Sequence, residues 1–435
     1  MSEKKIATIT LGCKVNQYDT DSVVTQFVDA GYKVVDFAEE ADVYLINTCT
    51  VTNLGDRKSR QMIRRAAKRN PHAKIVVMGC LAQTAPEEVV ALEGVTLVVG
   101  TAGRGRILEE IEALERGDQA SLVDDIFQIT EFEDLPALDF LGRTRATLKI
   151  QDGCNQFCTY CRVPYARGRS RSRQRESVLE QVDQLVEAGF AEIVLTGIHL
   201  GLYGQDLHPP LSLAQISKEI ADTPGLVRLR ISSVDPHEVT DELLDLVANH
   251  PVLCRHLHIP LQSGSNQVLQ RMKRNYSRED FREIVQEIHK HIPEVAITTD
   301  VMVGFPGETE EDFLQTMELV REVAFSKIHV FPYSPRAGTV AARFPDQVAT
   351  RLKENRSKRL IELGETLALD FHSSFIGRDV EVLVEQQGKT EGIGHTDNYL
   401  RVSFPLDQGL DLVGRIVPVQ VFSADLEGIQ GRLSK

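Results

Sequence analysis

Apolar residues fall in short runs over the first hundred positions. Residues 6–11, 43–46 and 75–78 read as strands, and the amphipathic stretches 21–30 and 54–68 read as helices between them. Strand alternating with helix predicts a parallel sheet covered by helices. Each strand-like run leads into a cysteine in a turn-like setting: Leu11-Gly12-Cys13, Asn47-Thr48-Cys49 and Gly79-Cys80. Ligands of open parallel sheets gather beyond the carboxyl ends of the strands. Three cysteines at three such ends are therefore placed to converge on one cofactor.

Residues 117–142 are polar and acidic, with Asp124-Asp125, Glu131, Glu133-Asp134 and Pro136, and read as a connector. A second α/β stretch follows. Its expected strands are 146–150, 192–195, 227–231, 256–259, 297–303 and 327–331, and helical patterns at 177–188 and 278–289 lie among them. Six βα-like units predict an open or partial (β/α)6 barrel with its active site at the strand C-terminal ends. Beyond residue 370 the pattern changes to short alternating runs at 380–384, 399–404 and 416–422, separated by glycines. Such runs predict a small β-barrel of OB-like size. The chain thus reads as a multidomain α/β protein: a first domain at 1–116, a linker at 117–140, a barrel core at 141–370 and a β-barrel at 371–435.

At 435 residues the chain is long enough for several cores, and its 42% hydrophobic and 26% charged residues are ordinary for a globular protein. No stretch approaches the roughly 18 consecutive apolar residues of a membrane span. The start, Met1-Ser2-Glu3-Lys4-Lys5, lacks the apolar stretch and cleavage site of a signal peptide. A cytoplasmic protein without membrane attachment is expected. In a reducing compartment seven cysteines call for metal or catalysis rather than disulfides.

The strongest chemical signal is Gly153-Cys154-Asn155-Gln156-Phe157-Cys158-Thr159-Tyr160-Cys161, directly after the expected strand 146–150. Three thiolates at this spacing hold three irons of a cubane cluster and leave the fourth open to an exogenous ligand. Zinc is the other reading, although structural zinc prefers four ligands in paired C-x-x-C knuckles. Cys254 has no cysteine near it in sequence and is expected to pack in the core, as free cysteines commonly do. His199, His237, His256 and His258 are read as hydrogen-bonded structure.

The formal charge of −14 argues against assuming a nucleic-acid partner, since attraction to phosphate needs local positive charge. Two local concentrations exist. Arg162, Arg167, Arg169, Arg171, Arg173 and Arg175 follow the cysteine loop, where phosphates would be positioned. Arg57, Lys58, Arg60, Arg64, Arg65, Lys68 and Arg69 line one expected helix, which fits a solvated face equally well. The terminal stretch carries more acids than bases.

The C-x-x-x-C-x-x-C loop resembles the radical S-adenosylmethionine (SAM) superfamily and, within it, the methylthiotransferase family. The resemblance spans nearly the whole chain. It rests also on Leu11-Gly12-Cys13-Lys14-Val15-Asn16-Gln17, Asn47-Thr48-Cys49-Thr50-Val51, Gly79-Cys80, the segment from His258 to Ser265, and Gly304-Phe305-Pro306-Gly307-Glu308-Thr309. It implies that Cys154, Cys158 and Cys161 hold a 4Fe–4S cluster whose open iron chelates SAM, and that Cys13, Cys49 and Cys80 hold a second, auxiliary 4Fe–4S cluster. Tyr160, Thr196, Gly197, Gly304 and Gly307 would contact SAM, with plain packing an alternative for Tyr160. The chemistry belongs to the clusters and SAM, so no side chain is assigned as a catalytic acid or base. The terminal barrel would be an RNA-binding TRAM domain, tRNA the substrate, an external protein or small molecule the electron donor, and the chain a monomer.

Segments 12–17, 165–168 and 392–399 look like the branch that modifies threonylcarbamoyladenosine in tRNA. That modification brings a carboxylate, which an arginine grips in a bidentate fork; Arg162 and Arg167 are the candidate clamps. The alternatives are isopentenyladenosine tRNA, a ribosomal-protein aspartate and, outside enzymology, a metal-stabilised RNA-binding scaffold.

Overall fold

The computed structural model describes residues 3–115, 117–137, 143–406 and 410–434; the expected domain boundaries at 116 and 140–141 lie outside them. The first sheet has six parallel strands, β1 (Lys5–Thr10), β2 (Lys33–Val35), β3 (Val43–Thr48), β4 (Lys74–Gly79), β5 (Val95–Val99) and β6 (Ala120–Leu122), in the order β2-β1-β3-β4-β5-β6. Every residue of β3 is buried, and this explains its continuous apolar run. Adjacent residues of β1 feed opposite faces: Ile6 packs with Val23, Val24 and Phe27, and Ala7 with Tyr44, Ile46 and Ile63.

Helix α1 spans Lys14–Asp29 and so begins before the expected start at 21. Its first two turns bury Asn16, Asp19, Thr20 and Asp21, and buried polar residues conceal the apolar periodicity of a helix. Helix α2 spans Asn53–Arg69, with the Thr52 hydroxyl accepting from the Gly55 amide as its N-cap. The segment 117–140 contributes β6 to the sheet edge.

The central strands are β7 (Arg145–Lys149), β8 (Gln151–Asp152), β9 (Arg171–Ser172), β10 (Glu192–Thr196), β11 (Arg228–Ile231), β12 (His256–His258), β13 (Ala296–Val303) and β14 (Lys327–Pro332). Parallel triplets β7-β10-β11 and β12-β13-β14 are joined through parallel bridges at Leu229–Leu253 and Ser233–His258. The result is the open six-stranded barrel read from the sequence. The antiparallel pair β8–β9 is an addition that brackets the cysteine loop. The helix Thr350–Ser373, absent from the sequence reading, packs along β14 and reaches the terminal barrel.

That barrel is closed: β15 (Asp379–Gln387), β16 (Glu391–His395), β17 (Arg401–Pro405), β19 (Gly428–Leu433) and β18 (Ile416–Asp425), in that order around the ring. Strands β16 and β19 carry glycines that weaken any strand signal, yet the closure requires them. A Cβ at Gly394 would stand 2.0 Å from the Leu383 carbonyl oxygen, and one at Gly431 2.3 Å from Val419 Cγ1. Among the described residues no helix is long and apolar enough to cross a membrane.

The barrel is seated on the core through Arg230, which is 1% exposed. Its Nε donates to Glu192 Oε1 at 2.7 Å, and Nη1 and Nη2 donate to the carbonyls of Asp397 and Thr396 at 2.6 and 3.1 Å. Arg230→Met strands the buried Glu192 carboxylate. The expected cost is about 3 kcal/mol or more, read as a lowered Tm with early loss of the barrel.

Candidate active site

Both cysteine sets stand at the carboxyl ends of parallel strands, and Cys13 of one set and all three cysteines of the other open on one cleft of about 920 Å³. Its lining includes Cys13, Cys154, Cys158 and Cys161, together with Thr196 and Gly197 at the end of β10.

The loop from Cys154 to Cys161 is pinned by backbone bonds from Cys154 to Gly168 (3.0 Å) and from Thr159 to Met272 (3.0 Å), and it turns at Phe157, where φ is +49°. Amide groups point at sulfur: Gln156 N lies 3.5 Å from Cys154 Sγ and Val163 N lies 3.4 Å from Cys161 Sγ. Arg274 Nη1 stands 3.3 Å from Cys158 Sγ, and its Nη2 is held by Asp235 at 2.8 Å. His199 Nδ1 is 3.4 Å from Cys154 Sγ, and its Nε2 is 2.6 Å from Glu238 Oε1. His199 was read as structure; here it stands against Cys154, one of the three cysteines of the loop.

The second set is built at three loop junctions. Cys13 is the N-cap of α1, Cys49 follows β3, and Cys80 opens the short helix Cys80–Thr84 after β4. Asn16 Oδ1 lies 3.7 Å from Cys13 Sγ and 4.0 Å from Cys80 Sγ, and Val51 N lies 3.5 Å from Cys49 Sγ. Gly12 sits at φ +119°, which favours glycine, and a Cβ there would stand 2.8 Å from Asn16 Nδ2 and 3.2 Å from the Cβ of Cys49.

Burial pushes the thiols of Cys80 and Cys161 up to about 12 and raises those of Cys49 and Cys158. Thiols in such surroundings keep their protons unless a metal displaces them. Amide-to-sulfur contacts are the kind that stabilise iron–sulfur clusters. Both triads fit a cluster on these grounds. Among the described residues, no three His, Cys, Asp or Glu side chains converge closely enough for a single metal ion. A cubane cluster asks for thiols set apart, one to each iron.

Beneath the triads lies a buried charge network. Arg167 Nη1 donates to both oxygens of Asp152 at 3.1 and 3.0 Å, and Nη2 donates to Asn16 Oδ1 at 2.7 Å and Asp19 Oδ2 at 2.8 Å. Lys149 Nζ bridges Asp19 at 2.8 Å and Asp152 at 2.6 Å, and Arg104 pairs with Asp19 and Glu133. Burial alone would raise Asp152, but Arg167 and Lys149 overcome it and hold the carboxyl well below its ordinary range. Arg167 is thus committed to two carboxylates and to the Asn16 oxygen beside the second triad. Arg162 donates to the Thr84 carbonyl at 3.3 Å. Neither arginine is among the residues lining the cleft. Of the arginine run, Arg167, Arg171 and Arg173 are buried while Arg169 and Arg175 face solvent, so half of it supplies structure.

Tyr160 lines the cleft and packs edge-on against Phe305, with ring centroids 6.4 Å apart. Gly304 and Gly307, expected to contact SAM, are not among the residues lining the cleft. Their φ values of +70° and +81° favour glycine, and a Cβ would meet the Lys353 side chain at 2.4 Å or the Arg271 guanidinium at 2.5 Å. Cys254 is buried among core residues, with its thiol pushed up to about 12 by burial. Lys14, Arg274, Asp235 and Tyr399 also line the cleft and were not singled out. They come from four separated parts of the chain, which local spacing cannot bring together.

Residues 5–100 match the Uncharacterized protein family UPF0004, residues 148–320 the Radical SAM superfamily and residues 373–426 the TRAM domain. The chain is 46% identical to the threonylcarbamoyladenosine tRNA methylthiotransferase MtaB of Bacillus subtilis, over 96% of this chain and 94% of that protein. The chain belongs to the radical SAM methylthiotransferase family. The MtaB of Aquifex aeolicus is 40% identical over 96% of this chain and all of that one. The tRNA-2-methylthio-N(6)-dimethylallyladenosine synthase of Moorella thermoacetica is 37% identical over 99% of each chain. Among solved structures, the radical SAM methyltransferase TsrM of Kitasatospora setae matches with a TM-score of 0.58 at 16% identity, over 79% of this chain and 74% of that one, and shares the fold. This methylthiotransferase is therefore an enzyme that takes SAM and a 4Fe–4S cluster, and the scaffold reading falls away.

Arg167→Met leaves Asp19 and Asp152 short of a partner and takes from Asn16 Oδ1 its guanidinium donor, although Asn16 Nδ2 still donates to the Leu11 and Thr48 carbonyls. The expected loss is about 3–5 kcal/mol, seen as a lowered Tm, together with iron loading that falls while Cys154, Cys158 and Cys161 remain intact.

Proposed function

We propose that this methylthiotransferase adds a methylthio group to C2 of N6-threonylcarbamoyladenosine at position 37 of tRNA, immediately 3′ of the anticodon. The observation that carries the reading is that Cys13 of one triad and the whole of the other line one cleft, in a chain whose full-length relatives include two proteins named for that activity.

Cys154, Cys158 and Cys161 would hold a 4Fe–4S cluster that, with bound SAM, would supply radical chemistry, and Cys13, Cys49 and Cys80 would hold a second cluster whose open iron would carry the sulfur to be methylated and inserted. The protein's own part is placement. Tyr160, Thr196 and Gly197 shape the wall on which SAM lies, and Gly304 and Gly307 let their loop pack tightly. Arg274 and His199 set charge beside the sulfurs of Cys158 and Cys154. Cys13 brings the second triad to the same cleft, where the target carbon would meet both centres.

The division we adopt is 1–116, 117–140, 141–370 and 371–435. The TRAM barrel and the outward basic residues of α2, including Arg57, Lys58, Arg64 and Arg65, supply the tRNA contacts. The enzyme works in the cytoplasm as a monomer and draws electrons from a separate donor.

Nucleoside mass spectrometry of tRNA from a strain lacking the gene tests the reading. Methylthio-threonylcarbamoyladenosine should vanish while threonylcarbamoyladenosine accumulates, and a Cys13→Ala copy should not restore it. Loss of methylthio-isopentenyladenosine, or a mass change in a ribosomal protein with tRNA unaltered, would overturn it.

A further inference from the structure

The main cleft has a side recess of about 330 Å³, and two residues line both spaces: Lys14 and Tyr399. The recess is built from four parts of the chain, with Lys14 at the start of α1, Arg143, Arg145 and Thr147 before and on β7, Val194 on β10, and Glu385 and Tyr399 from the barrel; Arg143 is paired with Asp21. Segments 12–17 and 392–399, which set this sequence apart in the threonylcarbamoyl branch, therefore meet at one junction.

Tyr399 is held firmly there. Its backbone sits at φ +67°, its amide donates to the Thr396 carbonyl at 3.1 Å, and its ring stacks on His395 with centroids 5.1 Å apart. The guanidinium groups of Arg230 and Arg145 lie 4.6 and 5.2 Å from the ring centroid. Both arginines are already paired: Arg230 with Glu192 at 2.7 Å, and Arg145 with Glu385 at 3.1 Å. Lys14 is different. It is exposed and lines both spaces, and among the described residues no carboxylate pairs with its ammonium and no acceptor takes its hydrogen bonds.

An unpaired cation at the mouth of a half-open recess favours a ligand that brings an anion, and it gives no such gain to a hydrocarbon arm. The geometry points to Lys14 as the residue that binds the carboxylate of the substrate's threonylcarbamoyl arm, with Tyr399 as the wall that directs this arm into the recess. The assignment rests on the proposed substrate and names the contact that selects it. It also moves the carboxylate site from Arg162 and Arg167, which lie off the cleft, to the residue beside Cys13.

Fluorescence anisotropy on the cluster-loaded enzyme tests it. The probes are three labelled anticodon stem–loop RNAs that differ only at position 37: threonylcarbamoyladenosine, its threoninamide analogue and unmodified adenosine. Wild type should bind the acid about tenfold more tightly than the amide, a difference of about 1.4 kcal/mol. Lys14→Met should reduce that preference to about twofold or less, and Lys14→Arg should keep most of it. Because Lys14 adjoins Cys13, the near-isosteric Lys14→Gln is measured alongside, with iron content as the check on folding. Equal binding of acid and amide by wild type, or an acid preference that survives in an iron-replete Lys14→Met or Lys14→Gln protein, overturns the assignment. If wild type instead shows no preference for threonylcarbamoyladenosine over adenosine and makes no methylthio product from it, the proposed substrate itself is wrong.

Discussion

Three cations and two carboxylates buried between the first sheet and the barrel core, with a third carboxylate half-buried at their edge, fix how the two halves of the site face each other. Arg167 and Lys149 come from the core, Arg104 and Asp19 from the first domain, Asp152 from the strand pair at the cysteine loop, and Glu133 from the connecting segment. Desolvating these charges is expensive, and the arrangement survives because nearly every lone pair and proton finds a partner. Such a network tolerates little displacement, since a small shift leaves a charge buried and unpaired. Cys13 and Asn16 begin the helix that carries Asp19, and Cys154 follows Asp152 by two residues. The spacing of the triads is thus set by the electrostatics beneath them, on a scale that packing alone would leave loose.

The cleft follows from topology. Parallel strands in both domains end on the same side of the molecule, so Cys13, the loop from Cys154 to Cys161, Thr196-Gly197 and Asp235 all border one space. The third domain completes it from the flank. Arg230 ties the barrel to the core by two backbone carbonyls, and the turn at 396–399 brings Tyr399 to the cleft edge. The barrel therefore forms a wall of the active site as well as carrying the TRAM fold.

What could be read in advance followed the physics of each signal. Cysteine spacing and strand–helix alternation are local, and from them came the metal chemistry and the parallel architecture. Helix α1 was truncated because Asn16, Asp19, Thr20 and Asp21 are buried for their charges and hydrogen bonds, where amphipathic reasoning looks for apolar residues. Arg167 was taken for a substrate contact because a run of arginines reads as surface charge, while the fold turns every second or third guanidinium inward. Strands β16 and β19 were hidden by glycines whose purpose is close approach. Lys14 and Tyr399 are almost 400 positions apart in sequence, and only the closed three-domain structure brings them together.

Iron and labile sulfide per chain, measured after anaerobic reconstitution of the wild type and of the Cys13/Cys49/Cys80→Ala triple variant, test the two-triad site most directly. The account predicts about eight irons per chain falling to about four, with SAM cleavage at the remaining cluster retained. About four irons in both proteins would make the first three cysteines structural and contradict it.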